Sequence, residues 1–415
     1  MILVVYHFDY VSKIKSEDFK KYEKLFQAKK VKQTQKYTTS STEIETTTAA
    51  VNYLDTCEKT EKIVFLKTHK TGSETMAGIF RKYALMNNVS TMLSSHIGGH
   101  LYGHGKLHNM YHYSPLTKYL VPILGIDYPG AHYELLANHM TYNKKFIDQW
   151  FDPTKTKKLT ILRNPVTLLL SSWKYYYSTF KHPRWPKSKS TQEQAQQLYD
   201  LLSNPLEFFD EVKRMDKAQY RHILRTQVSS FGYDKVYDRD LSKELVNKWI
   251  QEIAKEFDLI MIMEYFDLSL ALMAIELCWP LEFVANLKMN EGKHFEVDKQ
   301  AYHEELIRLI NYPDFMLYEH FNTTFWNKVN EVGRSRVEEM AKEIATLSKE
   351  LERDCVESYR VVQAWNKKMI SEPVIRKEKA DDMNCVGSIR WGNDQSELLK
   401  ERQWDLIKRE KWVEQ

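Results

Sequence analysis

The sequence predicts an α/β protein built on a parallel sheet that helices cover on both faces. Three segments carry that prediction, because each joins a short apolar run to a helix-period segment through a polar turn. In the first, "KIVFLK" (Lys62 to Lys67) precedes a polar loop and "SETMAGIFRKYALM", where Met76, Ile79, Phe80 and Tyr83 recur at helical spacing. In the second, "KKLTILRNPVTLLLSSWKYYYS", Leu159 to Leu162 read as a buried strand, Asn164 as an N-cap and Pro165 as a first-turn residue. In the third, "FDLIMIMEYFDLSLALMAIELC", Leu259 to Met263 read as the strand and Asp267 as the cap of the helix. Ligands of such sheets bind beyond the carboxyl ends of the strands. The 67–75 loop and Arg163 both fall at that edge.

Composition bounds the rest. The chain has 415 residues, 43% hydrophobic and 28% charged, which allows a large core and exceeds the usual length of one domain. Sixty basic against 56 acidic residues leave a formal charge of +4, too small a surplus to imply a nucleic-acid partner, although a local basic pocket fits within it. Cys57, Cys278, Cys355 and Cys385 form no CxxC pair, so zinc-ribbon and thioredoxin spacings are absent; buried thiols or two disulfides remain. The apolar run in "MILVVYHF" (Met1 to Phe8) falls short of the roughly 20 residues of a membrane span. Two sequons, Asn88-Val89-Ser90 and Asn322-Thr323-Thr324, suit a secretory protein but also arise by chance in a long chain.

Residues 1–55 read as a partly disordered stem, rich in lysine and glutamate and then in hydroxyls ("TTSSTEIETTT", Thr38 to Thr48), with too little apolar content for a core. Residues 56–330 hold the α/β pattern. Beyond them Val337, Met340, Ile344, Leu347 and Leu351 step by three or four through charged sequence, an amphipathic helix. Residues 366–415 are charged and dotted with tryptophan and show no strand signal. Residues 331–415 are therefore expected to form a helical extension with a helical or partly loose tail.

"FLKTHKTGSET" (Phe65 to Thr75) crowds lysines, threonines, a histidine and a serine into one strand-to-helix loop. Such a loop can aim successive backbone N–H groups at an anion, and Gly72 permits the tight turn this requires. Phosphate is the natural guest. In the plainer alternative the loop only caps its helix, through Ser73. The sequence G-x-x-x-x-G-K-[ST] is not present, since Lys70 precedes Gly72.

With these residues in view, the chain resembles the galactose-3-O-sulfotransferase and galactosylceramide sulfotransferase family, Golgi enzymes that use 3′-phosphoadenosine-5′-phosphosulfate (PAPS). "FLKTHKTGSET" looks like the phosphosulfate loop, "ILRNPVTLLLSSWKYYYS" like the 3′-phosphate motif, and "ANHMTYN" and "LYEHFNTTFW" like two further blocks, in family order over roughly residues 60 to 330. The resemblance implies a P-loop NTPase-like three-layer sandwich for the sulfotransferase domain (56–330). It assigns Lys70 to the bridging oxygen of the leaving group, and Thr71, Gly72, Ser73, Glu74 and Thr75 to the 5′-phosphosulfate. Lys67 and His69 face the acceptor or the sulfuryl group, and Arg163 and Ser171 hold the 3′-phosphate. His139 and His69 are the proposed bases, His139 favoured with His69 assisting. At Ala137 and Thr141 the chain departs from members that often carry Cys and Arg.

The same resemblance implies PAPS as co-substrate with no metal. The acceptor is a galactose-terminated glycolipid or glycoprotein glycan, sulfated on the 3-hydroxyl, and the site a Golgi membrane with a lumenal catalytic domain. The sequence as given shows no anchor, which leaves a shortened N-terminus or a departure from the family. His96, His100, His104 and His108 recur every fourth residue, but Gly98, Gly99, Gly103 and Gly105 argue against a metal-binding helix, and an acceptor loop suits them better. One tyrosine of "WKYYY" (Trp173 to Tyr177) can stack on a sugar. Two rival readings are a nucleotide or carbohydrate kinase and a glycan-binding pseudoenzyme of the same fold.

Overall fold

The computed structural model describes residues 53–55, 57–93, 133–177, 185, 190–215, 217–287, 301–363, 369–389 and 394–403. The "MILVVYHF" run, nearly all of the expected stem and the histidines from His96 to His108 lie outside the described residues.

Four strands, β1 (Ile63–Leu66), β2 (Leu135–Leu136), β3 (Lys157–Leu162) and β4 (Leu259–Ile262), form one sheet in the order β2-β1-β3-β4, with every neighbouring pair parallel. Helix α1 (Ser73–Asn87) follows β1, α2 (Lys144–Trp150) links β2 to β3, and α3 (Pro165–Tyr176) follows β3. Helices α4 to α7 (Thr191–Leu202, Pro205–Lys213, Lys217–Ile223 and Thr226–Ser230) and α8 (Lys243–Glu256) lead into β4. After it come α9 (Phe266–Leu277), α10 (Leu281–Val284), α11 (Ala301–Ile310), α12 (Tyr312–Val332) and α13 (Arg334–Cys355). The central parallel sheet flanked by helices is the α/β sandwich that the three strand-to-helix segments predict.

Every residue of β1 and β4 is buried, which is why these strands read as unbroken apolar runs rather than as alternating ones. The register sets Phe65 beside Leu159 and Leu66 beside Thr160, so β1 and β3 end side by side and their loops leave the sheet at one edge. On α1 the helix-period residues Met76, Ile79, Phe80 and Tyr83 are all buried. Asn164 caps α3 as expected, its side chain accepting from Val166 N at 2.9 Å, with Pro165 next to it. Asp267 does not cap α9: Tyr265 holds the N-cap position, the helix starts at Phe266, and Asp267 sits in its first turn. The short 3-10 turn Met263–Tyr265, which the sequence pattern does not reveal, shifts the start.

The C-terminal extension is laid against this body. Val337, Met340, Ile344 and Leu351 form the buried stripe of α13, which packs along α9. Helix α14 (Met383–Ile389) packs on α1 so closely that a Cβ on Gly387 would stand 3.1 Å from Lys82 Cα. Gln395 ties the same contact, donating to the carbonyls of Gly78 at 3.2 Å and Gly387 at 2.5 Å. Between α13 and α14 the chain forms an antiparallel hairpin, β5 (Val356–Gln363) and β6 (Met369–Ile375), which corrects the expectation of a tail without strands. Tyr359 and Val361 are exposed and β6 carries Glu372 and Pro373, so this ribbon lacks the apolar face from which a strand is recognised. Its base is held by the Cys355–Cys385 disulfide, and Cys57–Cys278 joins the segment before β1 to the end of α9. Among the described residues no helix is long and apolar enough to cross a membrane.

Candidate active site

The loop between β1 and α1 keeps its amides open by its own construction. Lys70 and Gly72 both take left-handed backbone angles, with φ of 58° and 75°. Gly72, not Ser73, is the N-cap of α1, and it supplies no side-chain hydrogen bond to the helix start. The Ser73 hydroxyl instead turns back to the Thr68 carbonyl, and Thr71 Oγ1 lies 2.7 Å from Thr68 Oγ1, which in turn donates to the Ile161 carbonyl at 2.8 Å. These buried hydroxyls therefore brace the loop, while the N–H groups at the start of a 15-residue helix are left without a side-chain cap. The Thr75 hydroxyl makes no hydrogen bond among the described residues. A side chain at Gly72 is barred by its φ and by Met263, whose Sδ would stand 2.3 Å from a Cβ.

The neighbouring loop brings Arg163. Its Nη1 donates to the Lys70 carbonyl at 3.0 Å and its Nε to Thr167 Oγ1 at 3.0 Å, so the guanidinium links the two strand ends. The Gln227 side-chain amide clamps its backbone from both sides, accepting from Arg163 N at 2.8 Å and donating to Arg163 O at 3.0 Å. Burial lowers the arginine from its ordinary value, with Glu264 opposing. Among the described residues Nη2 carries no hydrogen bond. Thr167, Ser171 and Tyr175 share one face of α3 at four-residue steps. Thr167 touches Arg163 at one end of that row and the Tyr175 ring lies 3.7 Å beneath Lys70 Nζ at the other, which places Ser171 between the two cations' contacts. Its hydroxyl, like that of Thr75, is unbonded among the described residues.

Beside these cations stand two histidines. The rings of His69 and His139 stack with centroids 4.2 Å apart and planes 9° from parallel. His139 Nδ1 lies 2.8 Å from the Lys67 carbonyl, which can only accept, so Nδ1 carries the proton and Nε2 accepts from Lys67 Nζ at 3.0 Å. Lys67 Nζ also pairs with Glu74 Oε2 at 2.5 Å. Burial lowers Lys67, with Glu74 opposing; burial likewise raises Glu74, but Lys67 and Arg81 outweigh it and hold the carboxyl at about 2. Arg81 extends this chain of contacts, donating to Glu74, to the Ala137 carbonyl at 2.9 Å and to Asn138 Oδ1 at 3.1 Å. It therefore fixes the segment that carries His139.

Lys67, His69, Lys70, His139 and Arg163 thus come together at one sheet edge, whereas the Thr71 and Ser73 hydroxyls and the Glu74 carboxylate, expected to face the phosphosulfate, are spent on contacts within the protein. Sequence reasoning missed Arg81, His222 and the part played by Tyr176. Tyr176 Oη lies 3.1 Å from His69 Nδ1, and His222 of α6 stacks on the Tyr176 ring at 3.9 Å and meets His69 edge-on at 4.9 Å. Burial, followed by His139, His222, Lys67 and Lys70, pushes His69 well below the usual histidine range, so its ring is neutral at neutral pH. The seven-residue spacing of Glu74 and Arg81 on one helix face was a usable signal for Arg81; nothing local marked His222. Among the described residues no group of three His, Cys, Asp or Glu could hold a metal ion.

An open helix start, cations on two adjacent loops and a neutral imidazole pair suit transfer of an anionic group to an alcohol. Comparison with known proteins agrees with this chemistry. Residues 24–380 match the family model for galactose-3-O-sulfotransferase. The chain is 31% identical to galactosylceramide sulfotransferase of Bos taurus over 330 residues, 78% of this chain and 70% of that protein. It is 30% identical to the enzyme of the same name from Mus musculus over 74% of this chain and 67% of that one. With galactose-3-O-sulfotransferase 2 of Mus musculus it shares 26% identity over 81% of this chain and 79% of that one. The chain belongs to the galactose-3-O-sulfotransferase family.

Proposed function

We propose that the protein transfers the sulfuryl group of PAPS to the 3-hydroxyl of a terminal galactose on a glycolipid or glycoprotein glycan. The observation that carries this reading is the meeting of two different cation-bearing loops, the uncapped Lys70 loop and the Arg163 loop, beside the His69–His139 stack. The residues fit a ligand with phosphates at two separate points. We assign Thr75 and the amides at the start of α1 to one, and the open Nη2 of Arg163 with the Ser171 hydroxyl to the other. Bound there, PAPS supplies a sulfuryl group on a phosphate leaving group.

Lys70 neutralises charge that grows on the leaving oxygen, an effect felt chiefly in the transition state. Lys67, held by Glu74 and His139, is the cation we assign to the sulfuryl group. One histidine of the stack takes the proton of the acceptor hydroxyl. Both ring nitrogens of His139 contact Lys67, at Nδ1 and Nε2, which favours His69 as the proton acceptor and His139 as the ring that shields and orients it. The cations that depress His69 are those a polyanionic donor neutralises, so donor binding raises its basicity when it is needed.

The two disulfides suit an oxidising compartment and support a lumenal Golgi location for the catalytic domain. The test of the function is transfer of labelled sulfate from PAPS to a panel of galactosides. Product sulfated at the 3-position is the expected result. No transfer to any galactoside, with intact donor binding, would overturn it.

A further inference from the structure

Arg221 flanks the segments that carry the histidine cluster, and its Nε has no hydrogen-bond partner among the described residues. It lies on α6 one residue before His222, whose ring meets His69, and its Nη1 is 3.5 Å from Thr141 Oγ1, two residues beyond His139. The guanidinium is therefore bracketed by the two segments that carry the site's rings. Its Nε is buried and has no hydrogen-bond partner among the described residues, and the contact to Thr141 is at the outer limit of a hydrogen bond. No carboxylate among the described residues pairs with it: Glu74 is engaged by Lys67 and Arg81. A buried guanidinium N–H without an acceptor costs stability, and an oxygen brought by a ligand would complete it.

Position separates this arginine from the donor side. Arg163 and Lys70 are joined directly at 3.0 Å and sit on the β1 and β3 loops, whereas the contacts of Arg221 lead through Thr141 and His222 to the histidines. Arg221 thus flanks, one residue before His222 and across from Thr141, the segments that carry the histidine rings, and the acceptor sugar must reach those rings with the hydroxyl that loses its proton. We propose that Arg221 is an acceptor-binding, specificity-determining residue that donates to an oxygen of the acceptor sugar adjacent to the hydroxyl being sulfated. The inference rests on the sulfuryl-transfer reading. For sulfation at the 3-position the oxygen recognised is the 2- or the 4-hydroxyl, and the two are told apart by the deoxy acceptor used.

The experiment measures initial rates at saturating PAPS for wild type, Arg221→Ala and Arg221→Lys. The acceptors are a methyl β-galactoside and its 2-deoxy and 4-deoxy analogues. Calorimetry of 3′,5′-adenosine bisphosphate is run in parallel. Arg221→Ala is expected to raise the acceptor KM about ten- to a hundredfold, the loss of one or two charge-assisted bonds, and to leave bisphosphate affinity within about twofold. One deoxy analogue should lose the same factor with wild type and be indifferent to the substitution. Arg221→Lys, which keeps the stem and charge but not Nε, should fall between, and it serves as the reading if the alanine variant does not fold. An unchanged acceptor KM in both variants, or a loss of bisphosphate affinity as large as the loss for the acceptor, would overturn the assignment. Wild type without transfer to any acceptor would instead sink the underlying function, and with it this inference.

Discussion

The two loops at the sheet edge solve the same local problem in opposite ways. Both leave a buried strand and enter a helix, and both therefore expose the first N–H groups of that helix. After β3, Asn164 satisfies them with its own side chain at 2.9 Å and Pro165 removes one donor altogether, so α3 starts closed and the loop contributes a side chain, Arg163. After β1, Gly72 offers no cap, Ser73 turns inward, and two left-handed residues hold the amides of α1 outward. The difference shows where this fold spends backbone and where it spends side chains: one loop leaves main-chain amides uncapped, and its neighbour, with its helix closed, carries a guanidinium.

The largest effect should come from the uncapped loop. Lys70→Ala is expected to lower kcat by about 10²–10³, the usual cost of removing one group that stabilises transition-state charge, while bisphosphate affinity changes much less. Single-turnover kinetics beside calorimetry separates the two, and a kcat near that of wild type would remove Lys70 from the chemistry. Next in size is the closed loop's side chain. Wild type should prefer 3′,5′-adenosine bisphosphate to AMP by at least about a hundredfold, and Arg163→Ala should erase most of that preference with little change for AMP. Equal wild-type affinity for the two nucleotides would deny that this loop reads a second phosphate.

Backbone substitutions sharpen the contrast on a smaller scale. Gly72→Ala meets both a left-handed φ and Met263 Sδ, and should cost about 1–3 kcal/mol in denaturant unfolding. Asn164→Ala loses only a cap and should cost about 1 kcal/mol. If the two costs are reversed, the first loop is not held by its glycine. The smallest change is in pH dependence. Burial and cationic neighbours depress His69, so the acidic limb of kcat/KM should lie below the ordinary histidine value of 6.5. His222→Phe keeps a ring on Tyr176 but removes one of the groups that depress His69, and should move that limb toward 6.5. The unfolded chain protonates this histidine first, so stability present above pH 6.5 is lost as the pH falls through the depressed value. A limb that stays in place in the variant would assign the proton to another group.

The sequence by itself determined what depends on neighbours in the chain. Apolar runs of four to six residues became β1, β3 and β4, because strands buried on both faces need no alternation; the stepped apolar residues became α1 and α13; Asn164-Pro165 and Gly72 set the two helix starts. Those same local signals were enough to place Lys67, His69, Lys70 and Arg163 at one edge, since parallel strands send every following loop to the same side. Tertiary structure decided what depends on distance. His222 reaches His69 from 153 positions away, being brought there by packing of α6 against α3, and the Gln227 amide that clamps Arg163 and the arginine beside Thr141 arrive by the same route. The pairing of Cys57 with Cys278, across 221 positions, and the seating of α14 on α1 were equally out of reach of any local pattern. Periodicity and capping report the energy of a segment with itself, whereas the charge and proton state of His69 are set by groups that only the folded sheet edge gathers around it.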